Sequence, residues 1–228
     1  RDHFIQVIGL DNHYAHSKME NGKRWVNRLK LDPLEVLLIG DTDHDFEVAE
    51  AIERGLAKAE LDGINTKNIT PYITIMVGRI DDHLKKQQKE NNIDIDPGLI
   101  NWASIAIFKN AYSIFKKKSY KSKLLAAAFR CDLHWKEIVG GDVIISMPYE
   151  WWNRFNKSDV EVMDRINDPV DTEIVRALKE KFVDFNRAYN KDGMAVDEFE
   201  SFGATIHTMN TFLDGYDKFV KLIRGRMI

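Results

Sequence analysis

Short apolar runs, each closed by a glycine, a proline or an arginine and each followed by a helical pattern, constrain this chain more than any other feature. Tyr72–Val77, Leu124–Ala128 and Val143–Met147 read as strands, the last stopped by Pro148. Between them, Asp96-Pro97 opens a predicted helix to about Tyr120, with Leu99, Trp102, Ile105, Ala106 and Phe108 on its apolar side. A shorter helix is expected around Trp135–Val139. Phe4–Ile8 and Val36–Ile39 are strand-like too, and the second leads through the polar turn Asp41–Asp45 into a helix carrying Val48, Ala49 and Ile52. Strands alternating with helices imply a parallel sheet and an α/β architecture. The polar stretch His83–Asn92 predicts a solvated helix or loop, and everything past Tyr149 reads as helical. In the last helix Ile206, Met209, Phe212, Leu213, Tyr216, Phe219, Val220 and Ile223 share one face at a period near 3.6, the pattern of a packed helix.

Bulk properties narrow the function classes. A hydrophobic fraction of 44% over 228 residues supports a buried core. A formal net charge of -3 is too balanced for a nucleic-acid binder or a membrane-attracted surface. No run reaches the ~20 apolar residues of a membrane span. The single cysteine, Cys131, excludes an internal disulfide framework and a cysteine-built zinc site, and it fits a reducing, cytoplasmic setting. The chain opens at Arg1 just before an apolar run, which reads as the interior of a folded unit with more sequence expected upstream.

Two places carry candidate chemistry. Gly40-Asp41-Thr42-Asp43-His44-Asp45 follows a buried-type strand, where ligands bind in open parallel sheets. Asp41 and Asp45 either converge on a hard cation, for which Mg²⁺ is suited, or cap the following helix. Arg79 and Arg130 each follow a predicted strand. Arginines there either fork onto a phosphate or carboxylate, or pair with a nearby acid such as Asp81 or Asp82.

The segment His16-Ser17-Lys18, with Leu38 to Ala49, resembles the late motifs of haloacid-dehalogenase-type phosphatases. That resemblance implies a short Rossmann-like fragment over residues 1–54, with Lys18 steadying a phosphoryl group and Asp41 and Asp45 holding Mg²⁺. The family's early Asp-x-Asp nucleophile motif does not precede Lys18, so no phosphoaspartate can form from this stretch.

From about residue 55 to residue 228 the chain resembles the C-terminal part of the transaldolases. Ile69-Thr70-Pro71-Tyr72 followed by Val77-Gly78-Arg79-Ile80-Asp81-Asp82 resembles their Ser-Pro-Phe-Val-Gly-Arg motif. Leu124 to Arg130 resembles Ala-Ser-Phe-Arg, and Asp142 to Pro148 resembles the last barrel strand. Gly55–Thr66 resembles the stretch after the family's Schiff-base lysine, and Phe202 to Ile206 opens a long C-terminal helix.

The resemblance implies a partial (β/α)₈ barrel with long C-terminal helices and no separate cofactor. It implies transfer of a dihydroxyacetone unit between sugar phosphates of the pentose phosphate pathway through a lysine Schiff base. Arg79 and Arg130 would hold the sugar phosphate, with Thr70, Tyr72 and Ala128 lining the pocket. Ala128 replaces the usual serine, and about one strand-and-helix unit is absent between Thr66 and Ile69. The lysine strand lies upstream of Gly55 in the family, and Lys58 falls in a helix pattern, so no Schiff-base lysine is assigned. An Mg²⁺-dependent phosphatase and a non-catalytic sugar-phosphate-binding fragment are the alternatives. An unclosed barrel exposes sheet edges, which favours a homo-oligomer.

Overall fold

The computed structural model describes residues 45–226. The chain divides into two units, residues 1–38 and 39–228, and the described residues all belong to the second. The strand patterns at Phe4–Ile8 and Val36–Ile39, and the residues Lys18 and Asp41, lie outside the described residues.

The unit opens with helix α1 (Asp45–Leu61), which runs unbroken across residues 54 and 55. Strand β1 (Tyr72–Met76) passes directly into α2 (Val77–Glu90). A short α3 (Pro97–Ile100) and the long α4 (Ala103–Lys118) lead to β2 (Lys123–Ala127). One turn, α5 (Leu133–Lys136), precedes β3 (Ile144–Ile145), and α6 (Tyr149–Asn156) follows it. The remainder holds α7 (Thr172–Lys181), α8 (Val183–Tyr189), a 3₁₀ turn (Val196–Ser201) and α9 (Gly203–Arg224).

The three strands are parallel in the order β1-β2-β3, with Thr74, Leu125 and Ile144 in one row and Ile75, Ala126 and Ile145 in the next. This is the α/β arrangement that the alternating pattern predicts. Successive side chains alternate between faces. Ile73, Ile75, Leu124 and Ala126 point to the buried side, where Phe108, Phe115 and Ile105 of α4 meet them. A second core joins Leu84 of α2 and Ile107 of α4 to Leu178, Phe182 and Phe185 near the C-terminus.

Four expectations need correction. The helix expected from Asp96 to Tyr120 is two helices. In a continuous helix the Ser104 amide would bond the carbonyl of Ile100. Here it donates instead to Asp81 Oδ1 at 3.0 Å, and α4 starts afresh. The polar stretch from His83 is not wholly solvated, since His83 and Leu84 are buried on the inner side of α2. The third strand keeps only two paired residues, and Ile144 and Ile145 are both exposed. The apolar face of α9 is not packed either: Phe212, Leu213, Tyr216 and Phe219 are each more than half exposed. No helix among the described residues is long and apolar enough to cross a membrane.

Candidate functional site

Parallel strands deliver their C-terminal ends to one side of a sheet, so the residues after Met76 and after Ala127 are neighbours by construction. Arg79 follows β1 but does not hang from a strand end. It lies in the first turn of α2, where free backbone amides and the helix dipole favour an anion. Its Nε is buried without a hydrogen-bond partner, and its guanidinium carbon lies 5.8 Å from the ring centre of Phe212 in α9. A buried donor left unpaired is costly, and it is satisfied when an acceptor arrives.

Arg130 approaches the start of α2 from the neighbouring strand. Ala128 takes a left-handed conformation, φ 61°, which turns the chain sharply as β2 ends. The Arg130 stem then lies over Gly78. A side chain at Gly78 would overlap both that stem and the Ala128 carbonyl oxygen, so the close approach of strand end to helix start requires glycine. Arg130 Nε donates to Asp82 Oδ2 at 2.9 Å, and one terminal nitrogen donates to the carbonyls of Ala128 and Phe129. The acid pairing considered from sequence is thus present for Arg130, through Asp82.

Beneath this rim lies a buried polar cluster that the sequence patterns did not single out. Asp81, Ser104 and His134 are all fully buried. The Asp81 carboxylate accepts from the Ser104 amide, from Ser104 Oγ at 3.1 Å and from His134 Nε2 at 2.8 Å. His134 Nδ1 accepts the Arg130 amide at 3.0 Å. Burial opposes a charged imidazole and the bonds to Asp81 and Cys131 favour one, but the geometry at Nδ1 decides between them. The Arg130 amide hydrogen, aimed at Nδ1, occupies the place a second proton would need. In this geometry the ring is therefore neutral, with its proton on Nε2.

The other sequence-chosen residues fall elsewhere. Thr70 precedes β1 and Tyr72 begins it, roughly 13 Å along the strand from Met76 at ~3.3 Å per residue. The structure therefore does not bring them to the rim with Arg79, Arg130 and Ala128. Counting back from Arg79 without a gap puts the motif's serine position at Thr74, which lies midway along β1 on the face shared by Tyr72 and Met76. Asp45 is the first residue of α1. No group of three or more His, Cys, Asp or Glu side chains placed to hold a metal occurs among the described residues.

A second, half-buried acid meets α2 from α8. Asp184 of α8 bonds His83 Nε2 at 2.7 Å and Gln87 Nε2 at 2.8 Å, and the bond from His83 holds its carboxyl below the usual range against the effect of burial.

A three-stranded parallel sheet with helices between its strands places the chain in the α/β class. The comparison with known families narrows it. The Transaldolase/Fructose-6-phosphate aldolase family matches residues 38–207, and the chain belongs to that family. It is 30% identical over 154 residues to a protein described as Transaldolase from Prochlorococcus marinus subsp. pastoris, a match covering 66% of this chain and 40% of that relative. The chain therefore spans well under half the length of the curated relative it matches. The family match begins at residue 38, inside the stretch that resembles the phosphatases, and nothing in the comparisons supports a phosphatase-type fragment.

Proposed function

We propose that this chain binds the phosphate of a sugar phosphate at the C-terminal ends of β1 and β2, as part of transaldolase-type carbon transfer. The observation that carries the reading is the buried, unpartnered Nε of Arg79 in the first turn of α2, beside the Gly78 over which Arg130 lies. A phosphate oxygen would satisfy that donor, and its charge would meet the helix N-terminus and two guanidinium groups. Ala128 and Thr74 line the approach in this reading; Thr70 and Tyr72 do not.

Dihydroxyacetone transfer needs a lysine amine to form the iminium that accepts the electron pair of the breaking C–C bond. Among the described residues, none of the three strands is directly followed by a lysine. Lys58 lies exposed in the last turn of α1, and Lys123 starts β2 at its far end, paired to Asp142. Sugar-phosphate binding is thus the primary claim, and carbon transfer depends on where that amine comes from. No separate cofactor enters this chemistry. No observation favours an Mg²⁺-dependent hydrolase.

Calorimetric titration with fructose 6-phosphate and with fructose tests the claim. The phosphate ester should bind and the free sugar should not; equal or no binding of both overturns it. Borohydride reduction in the presence of fructose 6-phosphate, followed by peptide mapping, then locates a lysine adduct or shows that carbon transfer does not take place on this chain.

A further inference from the structure

We propose that Asp81 and His134 are positioning residues that set the Arg130 backbone, so that one helix, α2, fixes both arginines of the anion site. The proposal rests on the sugar-phosphate reading for its functional meaning, but its geometry stands apart from it.

The argument starts from cost. Three fully buried polar side chains in contact, Asp81, Ser104 and His134, are tolerated only when each finds partners. An apolar trio of similar volume would hold α2 and α4 together at least as well. What an apolar trio cannot do is hold a backbone amide in a set direction. His134 does this: Nε2 donates to Asp81, and that bond leaves Nδ1 as a bare acceptor pointed at the Arg130 amide. Asp81 is itself held by the amide and hydroxyl of Ser104, at the start of α4.

Arg130 is therefore tied to α2 at two points by adjacent acids. Asp82 takes its Nε directly, and Asp81 takes its amide through the imidazole. Arg79 is two residues before Asp81 on the same helix. The loop leaves β2 through a left-handed alanine and is anchored in the core by Phe129; the bond to His134 then fixes the direction of the next amide. The double tether makes the spacing of the two guanidinium groups a property of one rigid element. Preorganised donors lose less on binding than donors that must be ordered first.

The test uses the whole chain and two substitutions. His134→Gln keeps a neutral acceptor and a donor on one side chain; His134→Leu keeps neither. Fructose 6-phosphate affinity should fall about tenfold in His134→Leu, the scale of one lost buried hydrogen bond. It should stay within about threefold in His134→Gln. Combined with Arg130→Ala, His134→Leu should add almost nothing, because it acts through the residue already removed. Equal losses with and without Arg130, or a glutamine variant as weak as the leucine variant, overturn the proposal.

Hydrogen exchange at the Arg130 amide, read by ¹⁵N NMR, separates this idea from the binding claim. The amide should be protected in the unmodified chain and in His134→Gln, whether or not sugar phosphate binds. Rapid exchange in the unmodified chain defeats the positioning role and needs no variant that folds. A protected amide in a protein indifferent to fructose 6-phosphate defeats the sugar-phosphate reading alone.

Discussion

The two arginines that follow β1 and β2 are in opposite states. Arg79 comes from a helix turn with its Nε dry and unpaired. Arg130 comes from a loop with its guanidinium engaged by Asp82 and two carbonyls. A ligand anion completes the first and must compete for the second. Position after a strand, the feature they share in the sequence, does not determine how much binding energy each can release; the partners already present do.

The comparison breaks most completely if the two chain segments are pushed apart. Gly78→Ala places a methyl group against the Ala128 carbonyl and the Arg130 stem. It should destabilise the fold by about 2–3 kcal/mol, the upper range for overpacking, measured by urea unfolding.

Removing each arginine in turn sharpens the contrast. Arg79→Ala should weaken fructose 6-phosphate by about 30-fold, since a charge-assisted bond carries ~1.5–3 kcal/mol. Arg130→Ala should weaken it less, by about 15-fold, because a ligand anion must first displace the contacts Arg130 already makes. A larger effect at Arg130, by calorimetry, would reverse the assignment of roles.

Asp82→Asn tests the competition itself. With the ion pair reduced to a neutral contact, Arg130 should turn more readily to a phosphate, and affinity should rise by about twofold, as expected for a half-exposed pair of modest strength.

The smallest effect concerns the contact of α8 with α2. The Asp184 carboxyl has a lowered pKa in the folded chain, first through its bond from His83. Its contribution is complete above the unfolded value of about 3.9 and disappears as pH falls through the lower folded value. Stability followed by urea unfolding should therefore drop in that acid range, and Asp184→Asn should flatten the drop.

Much of the architecture was legible because apolar runs of four to six residues alternate with helical patterns, and that periodicity reflects burial directly. Tyr72–Met76 and Lys123–Ala127 pair in parallel where β patterns stood. The break at Asn101–Trp102 was not legible, because its cause is Asp81, more than twenty residues upstream. For the same reason the Asp81–Ser104–His134 cluster leaves no mark in the sequence: its members share no short-range spacing. Arg79 and Arg130 could be picked out because strand ends are visible in a parallel α/β pattern. Thr70 and Tyr72 lie at the opposite end of β1 from Arg79, whereas the ungapped motif spacing reaches Thr74.

The outward row on α9 has a practical consequence at the bench. Phe212, Leu213, Tyr216, Phe219 and Leu222 form a greasy ridge open to solvent, which environment-sensitive dyes will coat even when the protein is fully folded. Dye-monitored melting curves will start bright and hide the transition. Intrinsic emission from the five tryptophans, none of which lies in that helix, is the cleaner reporter for every unfolding measurement described above.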